Sequence, residues 1–253
     1  MKLFLLPLGQ CDVDKGAVLT PGSGDGERII IPIVAYLIET DGGRRILVDS
    51  GMHRKHIADP GAAFGGTPFG QLLTPIMRPE DDIANRLAAL GLEPEDIDIL
   101  VSTHFHFDHA GNHADFGDAR IVVQREAFEY SKAHHDPFTR DLWDLPHLRY
   151  ELIDGDVELV PGVKLIKTSG HAPGHMSLLV RLPMTGPVLL AIDAISTFEN
   201  LTTDNWGTAA DPGAARESAH RLAALAEREA ALLVTGHDPE QWSTLRLAPA
   251  WYE

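Results

Sequence analysis

An α/β fold, with two β-sheets packed face to face and helices on the outside, is predicted by three features of this sequence. Short β-branched runs bounded by Gly, Pro or Asp alternate with longer stretches of helical period along the 253 residues. A weak internal echo accompanies them. Ile46-Leu47-Val48-Asp49 and Leu190-Ala191-Ile192-Asp193 each close an apolar run on aspartate, and each leads through a helical stretch to a second run, Val101-Ser102-Thr103-His104 and Val234-Thr235-Gly236-His237. Two such strand-helix-strand halves, related by a pseudo-twofold, would form the sandwich and place polar strand ends between them. Finally, no linker or low-complexity segment divides the chain, so residues 1–253 are expected to form one domain.

In chain order, strands are expected near Lys2–Leu6, Ile29–Glu39, Arg45–Val48, Ile99–Thr103, Arg120–Gln124, Val163–Lys167, Ser177–Leu182, Val188–Ile192 and Leu232–Thr235. Helices are expected at Glu80–Leu90, which follows Pro79 and stops at Gly91, and at Pro212–Ala230, where Ala, Leu and Arg recur with helical period.

Composition narrows the function. A hydrophobic fraction of 44% with 23% charged residues is that of a globular protein with a sizeable core. The net charge of −16 disfavours nucleic acid and anionic membrane surfaces as partners. One cysteine, Cys11, leaves no intramolecular disulfide, so a reducing, cytoplasmic location is expected and any metal ligands are nitrogen and oxygen. The apolar start Leu3-Phe4-Leu5-Leu6 is too short for a signal-peptide core and reads as the first strand. No apolar run reaches membrane-spanning length.

The chemistry is concentrated in Thr103-His104-Phe105-His106-Phe107-Asp108-His109, three imidazoles and a carboxylate directly behind the apolar run ending at Val101. On an extended strand, residues two apart share a side, so His104 and His106 can hold one ion. The turn that follows sends Asp108 and His109 toward a neighbouring ion. Ser169-Gly170-His171-Ala172-Pro173-Gly174-His175 puts a further histidine in a Gly/Pro turn after a strand, and Asp193 and His237 end two more strands. As a set with the first cluster, these make a metal centre. His53, His56, His113, His134, His135, His147 and His220 are expected to be exposed without ligand roles, and His175 to be a turn residue or a group behind the ligands near the site.

Through Leu47-Val48-Asp49-Ser50-Gly51, the His104 to His109 motif, Gly170-His171, Asp193 and Gly236-His237, in that order, the chain resembles the metallo-β-lactamase superfamily. That resemblance implies a four-layer αββα sandwich with a dinuclear centre. His104, His106 and His171 would hold one metal, Asp108, His109 and His237 the other, with Asp193 bridging and Asp49 orienting loops or ligands behind them. Two zinc ions are implied, with iron, cobalt or manganese as substitutes on the same donors. Within the superfamily, Ser102 to Asn112 and Ser169 to Leu178 resemble the N-acyl-homoserine lactonases, which usually carry a tyrosine three residues after the bridging aspartate. This sequence has Ser196 there.

The activity so implied is hydrolytic opening of the lactone ring by a hydroxide bridging the two metals, with Asp108 passing the proton to the leaving oxygen. Ser196 is the candidate substrate contact, and Tyr130, Tyr150 or His135 are candidates to replace the missing phenol. Phe64 to Gly70, Ile76-Met77, and Phe138 to Leu148 with Trp143 are candidates to hold an acyl chain. The expected partner is a small lactone or ester. Another hydrolase of the superfamily, acting on a different lactone such as pyridoxolactone, an ester or a thioester, is the alternative. A di-iron oxidoreductase is disfavoured, since flavo-diiron centres place glutamate where this chain has His106.

Overall fold

A computed structural model describes all 253 residues and contains twelve strands in two sheets. The larger sheet comprises β1 (Lys2–Asp14), β2 (Arg28–Glu39), β3 (Arg45–Val48), β4 (Leu73–Ile76), β5 (Ile99–Val101), β6 (Arg120–Gln124) and β7 (Tyr150–Ile153), in the order β4-β1-β2-β3-β5-β6-β7. The smaller comprises β8 (Val157–Val160), β9 (Val163–Lys167), β10 (Met176–Leu182), β11 (Gly186–Ile192) and β12 (Leu232–Thr235), in the order β12-β11-β10-β9-β8.

The period-2 alternation of side chains explains the layering. Leu3 and Leu5 of β1, and Val34, Tyr36 and Ile38 of β2, face inward onto Met176, Leu178 and Val180 of β10 and Val188, Leu190 and Ile192 of β11. Phe4, Leu6, Ile33, Ala35 and Leu37 face outward onto Ile83 and Leu87 of a helix. Across the smaller sheet, Leu179, Leu189 and Ala191 pack on Ala215, Ala219, Leu222 and Ala226, one face of the helix Pro212–Glu229. The order of layers is therefore helix, sheet, sheet, helix. The internal echo is structural as well: β3 pairs in parallel with β5, and β11 in parallel with β12, each pair joined through a helix.

Several boundaries differ from those expected. The first strand continues past Leu6 because Pro7-Leu8-Gly9 is absorbed as a bulge, with the register slipping between Pro7 and Gln10 and Gly9 at φ 98°. The helix expected over Glu80–Leu90 is split at Asp82, whose extended backbone (ψ 136°) and carboxylate accepting the Ala84 N–H start a new helix at Ile83. The strand after Ile99 ends at Val101: the Ser102 N–H still reaches the Val122 carbonyl at 2.9 Å, but the Thr103 N–H goes to the Asp49 carboxylate instead of a neighbouring strand. Strands β4, β7 and β8 and the helix Arg125–Ala133 were not expected. No helix is long and apolar enough to cross a membrane.

Candidate metal centre

Every candidate ligand lies where a strand has just ended. His104 follows β5, His171 sits in the turn between β9 and β10, Asp193 follows β11 and His237 follows β12. The larger sheet thus supplies His104, His106, Asp108 and His109, and the smaller supplies His171, Asp193 and His237. The structure brings all seven together as two groups, His104, His106, His171 and Asp193 in one, Asp108, His109 and His237 in the other.

Hydrogen bonds behind the ligands fix which imidazole nitrogen faces the centre. Asp49 accepts the Thr103 N–H and hydroxyl (both 2.8 Å) and the His109 Nδ1–H (2.8 Å). Because the Thr103 hydroxyl proton is spent on Asp49, Thr103 Oγ1 accepts from His104 Nδ1 at 3.1 Å. His237 Nδ1–H donates to the Pro32 carbonyl at 2.9 Å. His104, His109 and His237 consequently present the Nε2 lone pair inward, the state a metal requires. Asp49 thus contacts Thr103 and His109 from behind and belongs to neither group.

The inward atoms fit cations. His106 Nδ1 lies 3.0 Å from both His104 Nε2 and His171 Nε2. Ligand atoms about 2.0–2.1 Å from a tetrahedral metal stand about 3.3 Å apart, so this spacing suits a shared ion. Asp193 divides its oxygens between the groups: Oδ2 lies 3.2 Å from His171 Nε2 and 3.8 Å from His104 Nε2, and Oδ1 lies 3.1 Å from His237 Nε2 and 3.3 Å from His109 Nε2. Asp108 Oδ2 lies 3.6 Å from His109 Nε2 and 3.7 Å from His237 Nε2. His109 Nε2 and Asp193 Oδ1 are buried without a hydrogen-bond partner, which is costly unless a cation satisfies them.

Charge tells the same story. Burial opposes protonation of His109, yet Asp193, Asp108 and Asp49 hold it well above the ordinary imidazole range, and against the same burial Asp193 and Asp108 push His237 up to about 9. Burial would raise Asp193, but His237, His109 and His171 outweigh it and hold its carboxyl well below the usual range. The surrounding carboxylates thus favour positive charge beside His109 and His237, charge that a divalent ion would supply with both imidazoles neutral. Burial, then the neighbouring imidazoles, hold His104 well below its ordinary value, so it is neutral and ready to ligate.

Backbone contacts lock these turns. A Cβ on Gly170 would lie 2.1 Å from the Ala215 nitrogen, so only glycine lets the His171 turn rest against the helix Pro212–Glu229. Gly236 is confined similarly, its Cβ position 2.7 Å from the Ile192 carbonyl oxygen and 3.0 Å from Asp193 Oδ1.

Two cavities adjoin the centre. One, of about 490 Å³, is lined by Asp108, Asp193, Ser196 and His237 on one side and by Phe64, Phe69, Phe107 and Phe138 on the other. Phe64 is the hub of that aromatic wall, with ring centroids 4.8 Å from Phe107, 4.8 Å from Phe138 and 5.0 Å from Phe69. The other, of about 250 Å³, lies against His104, His106 and His171 and is rimmed by Tyr130, His134, His135 and Thr139.

Some sequence expectations need correction. Ser196 does line the larger cavity, but the three groups considered as replacements for a phenol there do not. Tyr150 donates its hydroxyl to the Trp143 carbonyl at 2.8 Å and burial raises its pKa, while Tyr130 and His135 border the smaller cavity. Asp136 and Thr208 are the polar residues that share the larger cavity with Ser196 and the metal ligands. Of the acyl-chain candidates, Phe64, Phe69 and Phe138 line it; Met77 is core, Ile76 lies on edge strand β4, and Trp143 packs on Phe105 with centroids 4.2 Å apart and borders the smaller cavity instead. His56 and His113 are buried rather than exposed. His56 stacks on Phe64, and burial pushes His113 down to about 3 beside the Tyr150 hydroxyl. His53 is half-buried, and His134, His135, His147 and His220 are exposed as expected.

Residues 30–237 match the metallo-beta-lactamase superfamily. The chain is 40% identical to an N-acyl homoserine lactonase of Bacillus thuringiensis over 253 residues, covering 99% of this chain and 98% of that protein. It is 33% identical to the N-acyl homoserine lactonase AttM of Azorhizobium caulinodans, covering 100% and 99% of the two chains. Among solved structures, an N-acyl homoserine lactone hydrolase with the product N-hexanoyl-L-homoserine at its catalytic metal center superposes with a TM-score of 0.92 at 38% identity, covering 99% of this chain and 98% of that one.

Proposed function

Since the chain belongs to the metallo-β-lactamase superfamily, we propose that it is a metal-dependent hydrolase that opens the lactone ring of N-acyl homoserine lactones. His104, His106 and His171 would hold one divalent cation and Asp108, His109 and His237 a second, with Asp193 shared; the nitrogen and oxygen donors favour zinc. The observation that carries this reading is the Asp193 carboxylate, split between two triads and lining an aromatic-walled cavity. When bound, such cations supply a water of lowered pKa and polarise a substrate oxygen.

The chain's own residues do the rest. Phe64, Phe69, Phe107 and Phe138 take the acyl chain and exclude water from the reacting ester. Asp108 presents Oδ2 to His109 and His237 and also lines the cavity, so it is placed to carry a proton to the ring oxygen as the ester bond breaks. In a lactone that oxygen stays tethered to the new carboxylate, so the two groups remain side by side at the centre.

Ring opening releases one proton per turnover, which a pH-indicator assay reads directly alongside metal analysis of the same preparation. The expected result is turnover of acyl-homoserine lactones with about two metals per chain. Within the series, kcat/KM should rise roughly fourfold for each methylene the aromatic wall covers, since burying a CH₂ is worth about 0.8 kcal/mol. Silence across short and long acyl chains, with turnover of another ester or a thioester, would move the assignment to that class.

Ser196 is the chain's departure from the lactonase pattern. Its hydroxyl is too short to reach far across the cavity, and it contributes at most one neutral hydrogen bond, through an ordered water bridging to the substrate oxygen. Ser196→Ala should therefore weaken lactone turnover about tenfold or less. A loss above roughly a thousandfold with metals retained would instead give Ser196 an essential catalytic role.

A further inference from the structure

Asp193 stands one residue beyond Ile192, a β-branched residue held at φ 52° and ψ −138°. Side chains branched at Cβ avoid that region, so the surroundings must impose it. A chain of hydrogen bonds runs from one side of Ile192 to the other. The Ala191 carbonyl can only accept, so Ser177 donates its hydroxyl to it at 2.8 Å. Ser177 Oγ then accepts from the Thr168 hydroxyl at 2.9 Å, and Thr168 Oγ1 accepts the His175 Nδ1–H at 2.8 Å. That leaves His175 Nε2 with a lone pair, which accepts the Asp193 backbone N–H at 3.2 Å. The two backbone groups fix the direction of the links: the Ala191 carbonyl makes Ser177 a donor, and the Asp193 N–H makes His175 Nε2 an acceptor, so Nδ1 carries the proton and Thr168 accepts from it while donating to Ser177. Thr168, His175 and Ser177 are all fully buried, and no water is needed to complete the path.

We propose that His175 is a positioning residue for the metal centre: with Thr168 and Ser177 it braces the strained Ile192 and so aims the Asp193 carboxylate between the two triads. This rests on the reading of Asp193 as a shared ligand. The competing role is space filling, because the His175 ring also packs against those of His104 and His171, with centroids 5.0 Å and 5.8 Å away. A brace needs an acceptor at Nε2; a filler needs only volume.

Cobalt(II) titrated into the metal-free full-length chain separates the two, with affinity read by chelator competition and ligand geometry by the visible spectrum. His175→Leu keeps most of the volume but cannot accept, and should weaken cobalt binding about 10–100-fold with altered visible bands, the range found for groups that orient ligands. His175→Gln, whose amide oxygen can accept the Asp193 N–H, should recover most of that loss. Thr168→Val leaves the ring in place but removes its anchor, and should give a smaller loss in the same direction. If His175→Leu matches the wild type in affinity and spectrum, or if His175→Gln is as impaired as His175→Leu, the brace is refuted. Should His175→Leu not fold, wild-type affinity in Thr168→Val refutes it equally. A wild-type chain that takes up no cobalt would overturn the metal-centre reading itself, an outcome distinct from either.

Discussion

Asp108→Asn is expected to leave the metals bound and to lower lactone turnover by roughly 10²–10⁴-fold, the range over which a positioned acid or base acts. Asparagine keeps the shape of the side chain and one oxygen, and Asp108 belongs to the group that also contains His109 and His237, so the second cation keeps most of its contacts. What the amide lacks is the capacity to take and return a proton while lying in the cavity beside the substrate. Turnover of acyl-homoserine lactones, followed with metal stoichiometry on the same sample, decides the matter. Unchanged turnover would remove Asp108 from proton transfer, and a loss explained wholly by missing metal would make it a ligand and nothing more.

Asp193→Ala should be more damaging, because one side chain serves both triads. A four-ligand zinc site binds with about 10–16 kcal/mol, so one ligand is worth about 3 kcal/mol, or about two orders of magnitude in affinity at each position. The effect falls on two sites at once and leaves His109 Nε2 and His237 Nε2 without the carboxylate oxygen now 3.3 Å and 3.1 Å away. Metal-dependent turnover is expected to vanish at metal concentrations that saturate the wild type, with chelator competition showing both affinities reduced. A variant that keeps one tight metal would restrict Asp193 to a single triad.

The parts of the fold legible in the sequence are the interior strands, together with the edge strand β12, whose Leu232–Thr235 is apolar but for its last residue. Ile99-Leu100-Val101, Arg120–Gln124 and Val163–Lys167 have neighbours on both sides and carry the β-branched, apolar runs that such positions demand. The three strands missed, β4, β7 and β8, are edge strands. Edges tolerate Pro75 in β4 and mix charge into β7 and β8 through Glu151 and Glu158, which dilutes the pattern. The helix Arg125–Ala133 was hidden for a different reason: Gln124 gives it no side-chain cap, and Ala127 is its one fully buried residue.

The site divides in the same way. Ligands packed into His104 to His109, or ending recognisable strands, could be read because their spacing is local. Their supports could not. The Pro32 carbonyl that orients His237 lies about 200 positions away, and a main-chain acceptor leaves no mark on residue type. Thr168, just after β9, and Ser177, in β10, are ordinary residues until the pairing of β9 with β10 brings them together. The cavity wall is partly visible in the segments holding Phe64, Phe69 and Phe138, but nothing in Phe107 or Phe138 alone says that both meet Phe64.

The two sheets contribute separately to the centre, the larger supplying the His104 to His109 cluster and the smaller His171, Asp193 and His237. Any cation held there would therefore be a clasp between the layers, added to the hydrogen bonds that already cross at this end, from the Met176 N–H to the Thr103 carbonyl at 3.1 Å and from His237 to the Pro32 carbonyl at 2.9 Å. Cation binding then adds to conformational stability by mass action, growing with the logarithm of free metal over its dissociation constant. A newly made chain in a metal-starved cell would have a sandwich less firmly fastened along one seam, and so more open to local unfolding and proteolysis there. Supply of the ion would then govern how long the protein survives as well as how fast it works.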